Sequence, residues 1–349
     1  MKEYSGMSKD PEHEHSSIAP TSSEAVVDGG GSHDRIIALE EAFTIEAFRH
    51  EEMKLTGRLN PVWGRYIDQR IANLAELRIA DMDSAGIDVQ VLSLTSPGIQ
   101  GVASSVEAIR LAQDANDAVA SAIRANPARF TGFAALPCQD PAAATAELKR
   151  CIQDLGFRGA LVNGHTQGVY LDDDRYSGLW EMAESLDIPV YIHPADPPVP
   201  FSVASGLPIG EAAFGWGFET GAHVLRLVMS GVLERFPGLT VVLGHMGEFL
   251  PYNLARLDDR YSFYVGKPPI PHPPSFYIKR NVMITTSGVN DVAPLQCAID
   301  VLGADRIMFA ADYPYQQNEP AVDFIRSAPI SGPDRALICH SNAERMLRL

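Results

Sequence analysis

Side chains of the kinds that bind metal ions or carry protons stand at the ends of several short apolar runs in this sequence. The run RIIALEE ends in two glutamates, PVYIHP contains a histidine near its end, and RIMFAADYP contains an aspartate. Other runs end at or just before Thr95, Asn163, His165, His245 and Glu248. Each residue alone is typical of a structural hydrogen bond or a turn. Together, if the fold gathers these ends, they are typical of a site for one divalent metal ion.

The apolar runs predict eight β-strands that alternate with helices. The predicted strands are 35–41, 89–95, 130–137, 158–164, 189–194, 240–248, 282–288 and 306–314. Amphipathic segments at 106–126, 141–155, 173–186 and 219–236 predict helices between them. Nearly continuous apolar strands with helix-length connections indicate a parallel sheet covered by helices. Eight such strands predict an α/β fold, the (β/α)8 TIM barrel. Enzymes with this fold have their active sites at the C-terminal ends of the strands, where we expect the metal site.

An open, doubly wound sheet is the structural alternative. The sequence favours the barrel, because no glycine-rich GxGxxG loop follows the first strand. The irregular segment 196–217 is predicted to be a lid or a binding loop, since long loops in compact domains usually serve a function. Residues 1–34, rich in Ser, Glu, His and Gly, predict a disordered tail before one barrel domain at 35–349.

The composition argues against several classes of partner. A formal net charge of −16 argues against nucleic acid and against an anionic membrane surface. No apolar stretch reaches the roughly 18 residues of a membrane span, and the first residues lack the pattern of a signal peptide. The four cysteines are scattered without a CxxC pair. They predict reduced thiols, and hence a cytoplasmic protein.

Strand alternation bears on the two adjacent glutamates of the first strand. Successive side chains face opposite sides of a strand, so only one of Glu40 and Glu41 can face the barrel axis. Alternation also places Ala38 and Ala42 on the side of Glu40, where small side chains leave room for an ion and its waters. Glu40 is therefore the expected inward residue, and we expect Glu41 to be structural.

Several motifs, in a fixed order, resemble the amidohydrolase superfamily, in its branch of metal-dependent nonoxidative decarboxylases around aminocarboxymuconate-semialdehyde decarboxylase. They are ALEEAF, ADMDSAGID, LTSPG, NGHTQG, YIHP, FGWGFETG, GHMGEFLPYNLARLD and ADYPYQ, and the likeness runs from Arg35 to Leu349. The sequence is most similar to the subgroup of 5-carboxyvanillate and dihydroxybenzoate decarboxylases. Many superfamily members end the first strand in His-x-His, and some decarboxylases in Glu-x-His. Here Ala42 stands in place of the second histidine.

The resemblance implies that one divalent ion is bound by Glu40, His193 and Asp312. Two carboxylates and one imidazole suit Mn²⁺ or Mg²⁺ better than a nitrogen-rich zinc site would, although the set does not exclude Zn²⁺. We expect Mn²⁺. The resemblance further implies that Asp312 donates a proton to the substrate and that His245 and Glu248 form a catalytic pair beside it.

Four residues are implied to contact the substrate: Thr95, Trp216, Arg256 and Tyr315. From the sequence alone, Arg256 would instead be a helix-surface residue that pairs with Asp258 or Asp259. The family also implies a homodimer or higher homo-oligomer in which the partner subunit supplies an arginine to the site. The segment that would hold this arginine is shorter here than expected, and Arg58 and Arg65 are its candidates.

The function that the resemblance implies is decarboxylation of a small hydroxylated aromatic acid. A hydroxyl group ortho or para to the carboxylated carbon lets the ring accept a proton there, because the protonated ring is a ketone-like species. CO₂ loss then restores aromaticity. One alternative is a metal-dependent hydrolase or hydratase of a lactone, amide or unsaturated acid, because a fold does not settle a reaction class. Another is a catalytically silent binding or scaffold protein.

Overall fold

The strands follow chain order around one sheet. A computed structural model describes residues 35–56, 59–201, 207–263 and 270–349, so the predicted tail at 1–34 lies outside the described residues. The strands are β1 Ile37–Phe43, β2 Val89–Leu94, β3 Phe130–Ala135, β4 Gly159–Asn163, β5 Pro189–His193, β6 Thr240–Leu243, β7 Val282–Thr285 and β8 Ile307–Met308. Each strand pairs in parallel with the next one along the chain.

Backbone hydrogen bonds close the sheet into a barrel. The amide of Leu39 in β1 donates to the carbonyl of Phe309, just after β8, at 3.2 Å, and the amide of Ala42 donates to the carbonyl of Tyr313 at 2.7 Å. An open sheet would leave β1 with a free edge, whereas β1 here has partners on both sides. The predicted (β/α)8 barrel is therefore confirmed, and the open-sheet alternative is wrong.

Helices fill the connections between the strands. They are α1 Arg49–Thr56, α2 Pro61–Ile71, α3 Glu76–Ala85, α4 Ser105–Ala125, α5 Pro141–Gln153, α6 Ser177–Leu186, α7 Gly215–Met229, α8 Val232–Arg235, α9 Leu250–Tyr261, α10 Pro274–Asn281, α11 Val292–Leu302, α12 Asn318–Ser327, α13 Gly332–Ala336 and α14 Asn342–Leu347. The predicted helices at 106–126 and 141–155 are α4 and α5, whose first turns are capped by the side chains of Ser104 and Asp140. None of the helices in the described ranges has the length and apolar character that a bilayer span requires.

Several predicted elements differ from the observed ones: the predicted strands at 282–288 and 306–314 end at Thr285 and Met308, and two other departures have local backbone reasons. The predicted helix at 219–236 is two helices, α7 and α8, because Gly231 between them has a φ of 82° and ends the helical path. The predicted strand at 240–248 ends at Leu243. The chain then enters a 3₁₀ turn at His245–Gly247, where His245 and Met246 also have positive φ. At both places the backbone leaves the regular helix or strand that the hydrophobic pattern predicted.

Apolar side chains form two layers on either side of the strands. The interior of the barrel is filled by alternate strand residues, among them Ile37, Val91, Leu161 and Met283. A larger layer packs the outer strand faces against the helices. The cysteines Cys138, Cys151, Cys297 and Cys339 are all free thiols. Burial of both strand faces explains why the strands read as continuous apolar runs.

Candidate active site

The structure brings together the three predicted metal ligands at the carboxyl ends of the strands. Glu40 lies in β1, His193 ends β5, and Asp312 follows β8. One ligand atom from each residue lies within 4.8 Å of the other two. Residues distant in sequence therefore form one cluster of two carboxylates and one imidazole, the donor set expected for a hard divalent cation.

A bulge in β1 aims Glu40 at this cluster. Ala38 pairs with Gln90 and Glu41 pairs with Leu92, so β1 has one residue more than β2 between the two pairs. Ala38 packs in the outer layer and Leu39 in the barrel interior, so strict alternation would turn Glu40 outward. The extra residue returns Glu40 to the inside, as bulges beside active sites commonly do. The prediction that Ala38 shares the face of Glu40 is thus wrong, although Glu40 itself faces the interior.

The two carboxylate oxygens of Glu40 have different surroundings. Oε2 accepts hydrogen bonds from the hydroxyl groups of Tyr191, Thr285 and Ser287. Oε1 is buried and accepts no hydrogen bond from the described residues. A buried carboxylate oxygen without a partner is unfavourable unless a cation lies beside it. The hydroxyl groups therefore hold Glu40 in one orientation and leave Oε1 to meet an ion.

His193 directs the Nε2 atom of its ring at Oε1 of Glu40. Its Nδ1 lies 2.9 Å from the carbonyl oxygen of Pro194, which can only accept, so the ring proton belongs on Nδ1. Nε2 then carries a lone pair, and it lies 3.2 Å from Oε1 of Glu40. Two lone pairs that face each other across this distance repel unless a metal ion lies between or beside them or a proton is added to Nε2. The residues present therefore fit a divalent ion, and a backbone carbonyl fixes the histidine tautomer as is usual at metal sites.

His245 and Glu248 form the predicted pair next to the cluster. The Nδ1 atom of His245 lies 2.7 Å from Oε1 of Glu248. Its Nε2 atom lies 3.6 Å from Oε1 of Glu40 and 3.8 Å from Oδ2 of Asp312. The backbone amide of His245 donates to Ser287, which also donates to Glu40. His245 is thus held from both sides, with one ring nitrogen directed at Asp312.

Charges in the cluster shift the pKa values of its members in opposite directions. Burial alone would raise the pKa of Glu40, but the charge of His245, the neighbouring His193 and the hydrogen bond from Ser287 together lower that pKa to about 2. Burial raises the pKa of Asp312, and the charge of Glu40 raises it further. Burial would lower the pKa of His245, yet Glu40 and Glu248 raise it well above its ordinary value. Without an ion, His245 is the cation of the site and Asp312 takes up a proton more readily than Glu40.

The predicted substrate-binding residues fall into two groups. Oγ1 of Thr95 and the hydroxyl of Tyr315 share a hydrogen bond of 2.6 Å, which joins the end of β2 to the segment after Asp312. Trp216, half-buried at the start of α7, donates from Nε1 to Asp196 at 2.8 Å. Arg256 is exposed on α9, and among the described residues no hydrogen bond or ion pair joins it to the three candidate ligands.

Arg256 lies on the helix surface, as the sequence-only alternative predicted, but the two aspartates expected to pair with it have other partners among the described residues. Asp258 accepts hydrogen bonds from Ser275, and Asp259 pairs with Arg260. Arg65 is exposed on α2, and Arg58 lies outside the described residues. The roles implied for these arginines therefore stay predictions.

Sequence reasoning missed the residues that orient the ligands. Tyr191, Thr285 and Ser287 lie on β5 and at the end of β7, and all three bond to Glu40. Alternation could have indicated them, because Tyr191 stands two residues before His193, and Thr285 two residues before Ser287. His165, predicted to lie at the barrel mouth, accepts a hydrogen bond from the amide of Gly168 in its own loop, and its Nε2 atom lies 3.1 Å from the carbonyl oxygen of Asp196, just after β5.

Comparison with known proteins identifies the family of this chain. The family described as amidohydrolase matches residues 43–349. The γ-resorcylate decarboxylase of Rhizobium sp. (strain MTP-10005) is 38% identical over 326 residues, which cover 90% of this chain and 98% of the relative.

Two solved structures share the fold along nearly their whole length. The dihydroxybenzoic acid decarboxylase of Polaromonas sp. JS666, with manganese and 2-nitroresorcinol bound, has a TM-score of 0.85 and 36% identity, covering 90% of this chain and 97% of that one. The 5-carboxyvanillate decarboxylase of Novosphingobium aromaticivorans DSM 12444, with manganese and 4-hydroxy-3-methoxy-5-nitrobenzoic acid, has a TM-score of 0.84 and 36% identity, covering 92% and 98%. The predicted resemblance is confirmed, and the chain belongs to the amidohydrolase family.

Proposed function

We propose that this protein is a metal-dependent nonoxidative decarboxylase of hydroxylated aromatic acids. The observation that carries the proposal is the pair of facing lone pairs on Glu40 and His193, with the carboxyl of Asp312 beside them. This arrangement offers both a cation site and an acid at one point of the barrel mouth. Relatives that this chain matches along 90% of its length are named decarboxylases of such acids.

The substrate class follows from what the named substrates of these relatives have in common. γ-Resorcylate and 5-carboxyvanillate each carry a carboxylate ortho to a ring hydroxyl. Two neighbouring oxygens of that kind form a chelating edge for a cation. We therefore propose a small benzoic acid with an ortho hydroxyl group as the substrate of this protein.

We propose one divalent ion, held by Glu40, His193 and Asp312, with Mn²⁺ as the preferred metal and Mg²⁺ or Zn²⁺ as substitutes. When bound, the ion supplies positive charge that holds the substrate oxygens and offsets the negative charge of the reacting ring. Two carboxylates with one imidazole favour Mn²⁺ over a metal that prefers nitrogen or sulfur. The manganese in two related structures supports the same choice.

Asp312 is proposed to give its proton to the ring carbon that carries the carboxylate. The carbon–carbon bond to the carboxylate then breaks, CO₂ leaves, and the bonding electron pair returns to the ring and restores aromaticity. His245 lies 3.8 Å from Asp312 and is paired with Glu248, so it can return a proton to Asp312 or keep it oriented.

Four side chains are proposed to contact the substrate. Thr95 and Tyr315 already bond to each other and could direct their hydroxyl groups to a ring substituent. Trp216 is proposed as an aromatic wall, and Arg256 as the partner of a substrate carboxylate. For Arg256 this requires its long side chain to move from the exposed position that it has on α9.

We further propose a single barrel domain at 35–349 that acts as a cytoplasmic homodimer. The free cysteines are compatible with a reducing compartment. Large aromatic side chains on and beside α7 and α9, namely Phe214, Phe218, Phe249 and Tyr252, are exposed, and the rings of Phe214 and Phe249 lie 5.2 Å apart; exposed apolar side chains of this kind are ones that subunits cover. Sedimentation of a single species at the monomer mass of 37.9 kDa would contradict the dimer.

The function is tested by CO₂ release from a panel of acids. Purified protein loaded with Mn²⁺ is expected to release CO₂ from at least one of 5-carboxyvanillate, 2,6-dihydroxybenzoate and related dihydroxybenzoates. Benzoate, which has no hydroxyl group, is the control and is expected to be inert, because its ring cannot become ketone-like on protonation. No CO₂ from any hydroxylated acid with Mn²⁺, Mg²⁺ or Zn²⁺ would overturn the proposal.

A further inference from the structure

Glu41, the neighbour of Glu40, faces away from the barrel axis yet reaches the segment that holds Asp312. It is fully buried. Its Oε1 atom accepts a hydrogen bond from the amide of Ala311 at 3.0 Å, and its Oε2 atom accepts one from the amide of Tyr313 at 3.2 Å. One carboxyl group thus binds the peptide groups on both sides of Asp312.

The backbone at Asp312 needs such support. Its φ is +70°, a left-handed conformation that costs free energy in any residue other than glycine. Residues in this conformation persist where their surroundings fix them, often at functional sites. With both flanking amides held by Glu41, the Cα–Cβ bond of Asp312 has a fixed direction. That direction places its carboxyl next to Glu40 and His193.

Glu41 is itself held by a buried network. Gln90 of β2 donates to Oε2 of Glu41 at 3.3 Å and accepts from the guanidinium of Arg78 at 3.2 Å. Arg78, on α3, also donates to the carbonyl of Ala42 at 2.6 Å, and its guanidinium lies 4.7 Å from the ring centre of Tyr313. The network therefore ties β1, β2 and α3 to the residue that follows Asp312.

We propose that Glu41 is a positioning residue for Asp312, on which both metal affinity and proton transfer depend. The expected effect of Glu41 on turnover rests on the function proposed above. The expected effect on metal affinity does not depend on that function. The adjacent glutamates then have complementary tasks. Glu40 faces the ion. Glu41, on the outer side of the strand, holds the backbone of the second carboxylate ligand, Asp312.

The test compares Glu41→Gln with Glu147→Gln. An amide has one acceptor oxygen where the carboxyl has two, so in Glu41→Gln one amide beside Asp312 loses its acceptor and faces an NH₂ group. Glu147 is also buried and bonds to Asn116 and Arg150, in the outer layer on α5. Its replacement is therefore a matched control for the general cost of a buried glutamate.

The readouts are the Kd for Mn²⁺, followed by the paramagnetic signal of free Mn²⁺, and kcat with the best acid of the panel. We expect Glu41→Gln to raise the Kd and lower kcat, each by about 10- to 100-fold, as loss of a residue that supports a metal ligand typically does. Glu147→Gln is expected to lower the melting temperature and leave both values at the wild-type level. A folded Glu41→Gln protein with wild-type Kd and kcat would overturn the proposal.

A second variant covers the case that Glu41→Gln does not fold. Gln90→Met preserves volume but removes the side chain that orients Glu41, and it is expected to raise the Kd for Mn²⁺ in the same direction by a smaller factor. An unchanged Kd would contradict the proposal. If the wild type binds Mn²⁺ but releases no CO₂ from any acid, the proposed function fails, and the comparison of Kd values still tests the positioning role.

Discussion

Replacement of Asp312 by asparagine is expected to lower kcat by about 1,000-fold or more, within the range that a general acid contributes. The carboxyl of Asp312 lies beside the ligand atoms of Glu40 and His193, and Nε2 of His245, 3.8 Å from its Oδ2 atom, can supply it with a proton. Asparagine has no acidic proton to deliver to a ring carbon. Because asparagine tolerates the left-handed backbone that Asp312 adopts, the fold is expected to survive.

Asp291→Asn is the matched control for this substitution. Asp291 caps the first turn of α11 by accepting from the amide of Ala293, and asparagine is an equally good cap. The control is expected to keep the wild-type kcat and melting temperature. CO₂ release is measured for both variants, together with thermal unfolding. A folded Asp312→Asn protein that retains more than about a tenth of the wild-type kcat would exclude Asp312 as the proton donor.

Replacement of Glu40 by glutamine is expected to weaken Mn²⁺ binding strongly while preserving the metal-free fold. The hydroxyl groups of Tyr191 and Ser287 donate to Oε2, so they will select the amide orientation that places oxygen there. The NH₂ group then occupies the position of Oε1, 3.2 Å from the lone pair on Nε2 of His193. It can donate to that nitrogen, which satisfies both groups without an ion.

The Kd for Mn²⁺ of Glu40→Gln is therefore expected to rise by more than the roughly 10- to 100-fold typical of residues that only support a ligand. The melting temperature of the metal-free protein is expected to fall at neutral pH but to leave the protein folded, because the folded state holds the pKa of Glu40 at about 2 and glutamine loses the charge that pairs with His245. Titration calorimetry with Mn²⁺ and thermal unfolding with a chelator present measure the two effects. Wild-type affinity in the variant would show that Glu40 is no ligand, and a wild type that binds no divalent ion would favour a silent scaffold.

Hydrophobic pattern was enough to predict the barrel. Each strand is buried on both faces, so it reads as a continuous apolar run, and closure follows from the number of runs. The convergence of Glu40, His193 and Asp312 was predictable for the same reason, since the barrel topology forces the strand ends together. Their assignment as ligands came from the family resemblance.

Local geometry at the mouth could not be read from the sequence. The bulge in β1 depends on how that strand pairs with β2, so alternation gave the right inward glutamate with the wrong neighbour, Ala38. The turn after β6 depends on positive φ angles at His245 and Met246. Neither residue type predicts a positive φ from sequence in the way that glycine does. The bonds from Glu41 to the amides beside Asp312 join residues about 270 positions apart, and only the closed barrel brings them together.

The destination of the solvent proton is the most direct test of the central claim. Wild-type protein with Mn²⁺ and 2,6-dihydroxybenzoate in D₂O is expected to release one CO₂ for each product molecule. Each product should carry one deuterium at the carbon that lost the carboxylate. Product incubated in D₂O without protein measures the background exchange. A hydrolase or hydratase would release no CO₂, so a substrate acid consumed without CO₂, or a product with hydrogen at that carbon, would contradict decarboxylation by ring protonation.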